Sequence, residues 1–136
     1  DIPQGLAAVL SYNPDASADE NIAGMNDAIQ CVTSGCVTFA VRNTEVDGMK
    51  LNKGDIIGID GHSIVVKGNN LTKVTLELIK KMKKPEREII SIYYGSDVTE
   101  EDACDFSAKL QEQMPDCEIT LLYGGQPLYY YIFSLE

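Results

Sequence analysis

Apolar residues recur along this chain with two periods, and each period marks a kind of element. Between residues 69 and 84, Leu71, Val74, Leu78, Ile79 and Met82 fall three and four apart, the spacing that lines one side of an α-helix. Asn69 or Asn70 stands where an N-cap is needed, and Pro85 closes the segment. Ile22, Met25, Ile29 and Val32 repeat the helical spacing. Ser17 with Glu20 forms a capping box before them, and Ser34-Gly35 stops that helix. Thr99-Glu-Glu-Asp102 reads as a second capping box, opening a helix that buries Ala103, Phe106 and Leu110 and stops before Pro115. A short helix over 3–12 carries Leu6, Val9 and Leu10 on one side, with Pro3 near its start and Asn13-Pro14-Asp15 breaking it.

The other period is that of strands. Residues 36–43 are β-rich, and Asp47-Gly48 is a turn signal. Residues 54–60 and 63–67 flank Asp60-Gly61, a hairpin signal. Residues 88–94 are apolar on both faces, as an interior strand requires. Residues 117–123 and 128–135 are the last two strands. The order α-α-β-β-β-α-β-α-β-β predicts an α/β (α+β) fold, a mixed sheet of about five to six strands with helices packed on it. Residues 89–123 fit a right-handed βαβ crossover, while the hairpin 54–67 and the closing pair 117–135 supply antiparallel pairings. A single lobe is expected over 1–136, with a helical opening segment (1–35) and a sheet with helices (36–136).

Composition narrows the classes. The 136 residues are 44% hydrophobic, and no apolar run approaches the roughly 20 residues of a membrane span. Twenty-one acidic residues against eleven basic give a net charge of −10. Such a surface repels phosphate backbones and anionic lipid, which leaves solubility or a partner with a basic face. Cys31, Cys36, Cys104 and Cys117 form no Cys-x-x-Cys pair, and His62 is the one histidine, so the ligand clusters of a zinc site are missing. The cysteines read as reduced, mostly buried residues of a cytosolic protein, with Cys117 in a strand. The chain opens at Asp1-Ile2-Pro3 without methionine and reads as an excised piece or processed fragment.

The common catalytic arrangements are not found. There is no Gly-x-Ser-x-Gly elbow and no phosphate loop. His62 lies beside a hairpin turn with no visible orienting partner and reads as surface. Gly54 and Gly58 alternate with isoleucines in a strand pattern. Lys80, Lys81, Lys83 and Lys84 complement a helix C-terminus or, alternatively, contact an anion. The pairs Asp15/Asp19 and Glu100/Asp102 lack the apolar surroundings of a general acid. Arg42, late in the apolar strand, either bridges local carboxylates or anchors an interface. Tyr93, Tyr94, Tyr123, Tyr129, Tyr130 and Tyr131 either pack in the core or line a recognition surface near the Gly124-Gly125 turn. Strand alternation puts Tyr129 and Tyr131 on one face and Tyr130 on the other.

Several motifs together carry a resemblance: Ile2-Pro3-Gln4-Gly5, Ala40-Val41-Arg42-Asn43-Thr44 with Asp47-Gly48, Lys53-Gly54-Asp55, Tyr93-Tyr94-Gly95 and Tyr123-Gly-Gly-Gln-Pro-Leu-Tyr129. The chain resembles, over nearly its whole length, the C-terminal domain of bacterial fatty acid kinase, a dihydroxyacetone-kinase-like family that phosphorylates fatty acids held by a DegV-type carrier protein. That domain is itself similar to DegV proteins, and this chain looks like its second lobe. The resemblance implies a larger cytoplasmic protein whose separate kinase domain holds ATP and magnesium. It implies no cofactor and no catalysis here, a DegV-type carrier and the kinase's other domains as partners, and possible homodimers through the full-length protein. Where DegV proteins carry a His-x-Gly-Pro-Gly turn near the acyl carboxyl end, this chain has Gly124-Gly125-Gln126-Pro127. The partner-facing residues implied are Arg42, Tyr123, Gly124, Gly125, Gln126, Pro127 and Tyr129, with a degenerate fatty-acid-binding lobe as the alternative.

Overall fold

The computed structural model describes residues 1–46 and 48–136. Two helices come first, α1 (Ile2–Leu10) and α2 (Ala18–Cys31), then strand β1 (Thr33–Phe39). A small hairpin follows, β2 (Thr44–Val46) and β3 (Met49–Leu51), and then the hairpin β4 (Ile56–Asp60) and β5 (Ser63–Gly68). Helix α3 (Leu71–Met82), strand β6 (Ile89–Tyr94), helix α4 (Glu100–Gln113), β7 (Glu118–Tyr123) and β8 (Tyr129–Leu135) complete the chain. The predicted α/β class and order hold, with the β2–β3 hairpin added. Asp47, half of the predicted Asp47-Gly48 turn, lies outside the described residues.

The six-stranded sheet runs β5-β4-β1-β8-β6-β7. It is mixed: β6 and β7 are parallel, and the other neighbouring strands are antiparallel. The expected closing pair is corrected here. β7 and β8 are adjacent in sequence but not in the sheet, because β6 lies between them. β8 is instead the sheet's interior spine, bonded to β1 on one side and β6 on the other. Its inward Tyr131, Phe133 and Leu135 are all buried, and burying that series favours a central position.

One face of the sheet carries the core. Helix α3 lays Val74, Leu78, Ile79 and Met82 on it, and α4 adds Ala103, Phe106 and Leu110. These are the inward positions that the helical spacing predicts. Gly35 shows how tight the contact is. A Cβ there would lie 2.7 Å from Met82 Sδ and 2.8 Å from Phe133 Cζ, so Ser34-Gly35 belongs to β1 as a site of close packing, not as a helix stop. The helix ends earlier, at Cys31.

The caps follow the side-chain chemistry. Ser17 Oγ accepts from Glu20 N–H, and Glu20 Oε2 accepts from Ser17 N–H at 2.8 Å, a complete capping box. The Ser17 hydroxyl, donating to Glu20 Oε2 at 2.7 Å, and then the Ser17 N–H hold the Glu20 carboxyl below its usual range. Asn70, not Asn69, caps α3, accepting from Lys73 N–H at 2.9 Å. At α4, Thr99 Oγ1 accepts from Asp102 N–H, but Asp102 takes the Thr99 hydroxyl at 2.7 Å. Aspartate is a methylene shorter than glutamate, so only half of the expected box forms.

Helix α1 departs most from its pattern. Leu6, Val9 and Leu10 do share a side, but that side faces solvent with Ile2, and Pro3 and Ala8 are the buried residues. In α2, Ile22 is also exposed, while Asn21 is buried and its amide donates to the Asn13, Ala16 and Ser17 carbonyls. Side-chain hydrogen bonding, more than apolar burial, ties the start of α2 to the loop before it.

Candidate functional site: the loop over the end of strand six

The Gly-Gly-Gln-Pro segment is not a hairpin turn. It leaves β7, passes over the end of β6 and enters β8 on the far side. Backbone and side chain fasten it there. Gly124 and Gly125 N–H both donate to the Tyr94 carbonyl, at 2.9 and 3.2 Å. Gly95 N–H donates to the Tyr130 carbonyl and Ser96 N–H to the Gln126 carbonyl. The Gln126 amide donates to the Tyr93 carbonyl at 2.9 Å, and Thr38 Oγ1 donates to the Leu128 carbonyl. Gly125 sits at φ 65° and Leu128 at φ 72°. The second is a left-handed conformation that costs a branched residue about 1–2 kcal/mol, held in place by this set of bonds.

What the loop presents outward is aromatic and apolar. Tyr123 is 67% exposed and Leu128 59% exposed, and Pro127 is exposed beside them. The Tyr123 ring leans on Tyr94, centroids 5.2 Å apart. Tyr94 is pushed above its usual range by burial first and then by the Glu100 carboxylate. The sequence-based site is thereby divided by role. Gly124, Gly125 and Gln126 build the loop, and Tyr123 and Pro127 face solvent.

Tyr129 stands apart from Tyr131, against the alternation expected of a regular strand. The β1–β8 register shifts between Val37 and Thr38, pairing Val37 with Tyr131 and Thr38 with Tyr129. That bulge turns Tyr129 to the outer face beside Cys36 and Ile132, while Tyr131 enters the core. On the outer face, Tyr129, Cys36, Ile132, Ile2 and Pro3 line a mostly apolar cleft of about 300 Å³, with His62 at its margin.

β1 ends at Phe39, so Arg42 lies in an exposed bend past the strand, with no hydrogen bond or ion pair among the described residues. β1 starts three residues and ends four residues sooner than expected. His62 is exposed at the tip of the β4–β5 hairpin. Of the lysine run, Lys81 pairs with Glu77 at 3.1 Å and donates to the Val65 carbonyl. The cysteines are free, as expected, yet Cys31 and Cys104 are exposed and only Cys117, just before β7, is buried. Half-buried Cys36 has its thiol pushed up by burial.

The fold is that of DegV proteins. A solved structure of a fatty-acid-binding DegV family protein from Thermus thermophilus superposes with a TM-score of 0.57 at 12% identity, over 98% of this chain and 56% of that one. At that identity the likeness is one of fold. The family model for the C-terminal domain of FakA-like fatty acid kinases matches residues 1–136. Protein YloV of Bacillus subtilis is 42% identical over 135 residues, and an uncharacterized protein of Staphylococcus haemolyticus is 36% identical over the same length. Each alignment takes in 99% of this chain and 24% of the relative. The chain therefore belongs to the FakA-like fatty acid kinase C-terminal family. It spans about a quarter of the length of the curated relatives it matches. Among the described residues, no helix is long and apolar enough to cross a membrane.

Proposed function

We propose that this chain is the second lobe of a DegV-like domain in a fatty acid kinase, and that its task is docking, not catalysis. It binds a DegV-type fatty-acid carrier protein, so that a separate ATP- and magnesium-binding domain of the same polypeptide phosphorylates the bound fatty acid. The observation that carries the reading is the family match over the whole chain. Tethering a docking lobe to a kinase domain makes their encounter on one carrier intramolecular, with effective concentrations of order mM for short linkers. The loop supports the same reading, since it holds Tyr123, Pro127 and Leu128 outward on a rigid frame, and rigid exposed aromatics are favoured as interface anchors.

Calorimetry with the full-length kinase and its carrier tests this. Tyr123→Ala is expected to weaken carrier affinity about tenfold and to leave thermal stability unchanged, because that side chain is mostly solvated. Unchanged affinity in Tyr123→Ala would remove the loop from the interface; full affinity after deletion of this lobe would end the docking reading. A second reading, a degenerate fatty-acid-binding lobe, is favoured by the apolar cleft between α1 and the outer sheet face. Native mass spectrometry after bacterial expression separates the two, since a retained fatty acid adds a definite mass.

A further inference from the structure

Helix α1 presents an apolar stripe that nothing among the described residues covers. Ile2, Val9 and Leu10 are 70%, 65% and 77% exposed, and Leu6 is exposed between them. Leu6, Val9 and Leu10 follow Ile2 by four, seven and eight positions, so all four share one side of the helix. Tyr12, just past the helix, is exposed as well. So is Ile22 of α2, whose neighbour Asn21 donates to the Asn13 carbonyl at 2.8 Å. From Ile2 to Pro14 no residue carries a charge, in a chain that is 24% charged overall. A helix face that meets water ordinarily carries charged and polar side chains, so composition and exposure disagree here.

The stability of the helix points the same way. α1 has nine residues, and helices that short are marginal in water unless a face is packed. Gly5 in its interior lowers its propensity further. The capping box of Asp1 and Gln4 secures one end, but the helix buries only Pro3 and Ala8. Its largest apolar side chains are therefore the ones left without a packing partner.

Size and composition decide between occupants. A helix of this length is ~14 Å long and ~10 Å across, so its face offers on the order of 150 Å². Stable association of separate molecules needs roughly 800 Å² from each partner. Two parts of one polypeptide need less, because the linkage has already met much of the entropic cost of bringing them together. Uncharged aliphatic side chains also suit a permanent contact, which resembles a protein core more than an intermittent interface does. The polypeptide to supply such a contact is ample. Protein YloV aligns with this chain over 24% of its length, and the DegV-fold neighbour over 56% of its length.

We propose that the face of α1 formed by Ile2, Leu6, Val9 and Leu10 is a fixed packing surface for the other lobe of the DegV-like domain, contributed by the same polypeptide. This rests on the two-lobe part of the proposed function and not on carrier docking, which concerns the loop over β6.

The test places the photoreactive residue p-benzoylphenylalanine at Val9 of the full-length kinase, without carrier, and maps its crosslinks by mass spectrometry. Crosslinks within one polypeptide, reaching the other lobe and unaffected by dilution, are expected. A second variant avoids the bulky ring. Val9→Cys should react with a maleimide about tenfold more slowly than Lys53→Cys, which lies on an exposed turn, and the two should react alike in urea. Crosslinks between two copies, or to the kinase domain, overturn the proposal. So does a Val9→Cys that reacts as fast as Lys53→Cys in the folded protein. Adding the carrier should change neither readout; a crosslink that moves to the carrier overturns the assignment and gives α1 to carrier docking instead. Failure of carrier docking would leave the crosslink in place, so the two readings fail separately.

Discussion

At Gly95, a Cβ would fall inside the van der Waals envelope of the Tyr129 carbonyl oxygen and 2.7 Å from that of Gln126. Both obstacles are backbone, which cannot rotate away as a side chain can. Gly95→Ala should therefore destabilise the fold by about 3 kcal/mol, the upper part of the range for overpacking, and chemical denaturation measures it. A loss under about 1 kcal/mol, the bottom of that range, would mean that the loop slides freely over β6, against the bonds that hold it. At this scale the sequence was partly legible. Tyr-Gly-Gly-Gln-Pro was visible as a special segment because glycine and proline leave a compositional mark. That Gln126 bonds Tyr93 was not visible, since the partners are 33 residues apart and only the fold brings them together. Arg42 likewise looked functional by residue type, and its place in an exposed bend depended on where β1 ended.

A cap together with an apolar stripe located both α2 and α3, but only in α3 did the stripe turn out mostly buried. In α3, Val74, Leu78, Ile79 and Met82 are buried as expected, and Leu71 is half-buried. Asn70→Ala should cost about 1 kcal/mol, the usual effect of a lost N-cap, seen as a lowered melting temperature, while Asn69→Ala should leave it unchanged. Equal effects from the two would contradict the cap assignment. Helix α1 shows the limit of the same reasoning. Its periodicity places Leu6, Val9 and Leu10 on one side, but period alone does not say whether that side meets the sheet or solvent. Strands were harder. The short β2 and β3 have three residues each, too few for alternation to register. The bulge near Thr38 reversed the expected facing of Tyr129, because a single extra residue flips every position after it.

For the whole molecule, stability should fall at alkaline pH. Folding raises the Tyr131 hydroxyl from 10.0 to about 12, by burial first and the Asp102 charge second. The neutral phenol is the form that the folded state favours. Its contribution is complete below pH 10 and is lost as pH rises through about 12. Cys36, raised from 9.0 by burial, acts in the same direction from a lower onset. Denaturation measured from about pH 8 upward should show this decline, and Tyr131→Phe should flatten the part above pH 10. A decline unchanged in that variant would assign it to other groups. The sheet order was the least legible global feature. Neighbours in sequence tend to be neighbours in space, and that tendency suggested a β7–β8 hairpin where β6 in fact intervenes.

By itself the sequence determined the class of fold, the order of its elements and most of the residues that face the core, along with the motifs shared with the kinase family. These are written locally, in periodicity, caps and turn chemistry within about a dozen residues. The tertiary structure alone decided that β8 is the sheet's spine, that the closing loop bridges over β6, and that Tyr129 and Tyr131 face opposite ways. Each of those depends on which distant surfaces come into contact, and a one-dimensional pattern does not record partners far apart in the chain.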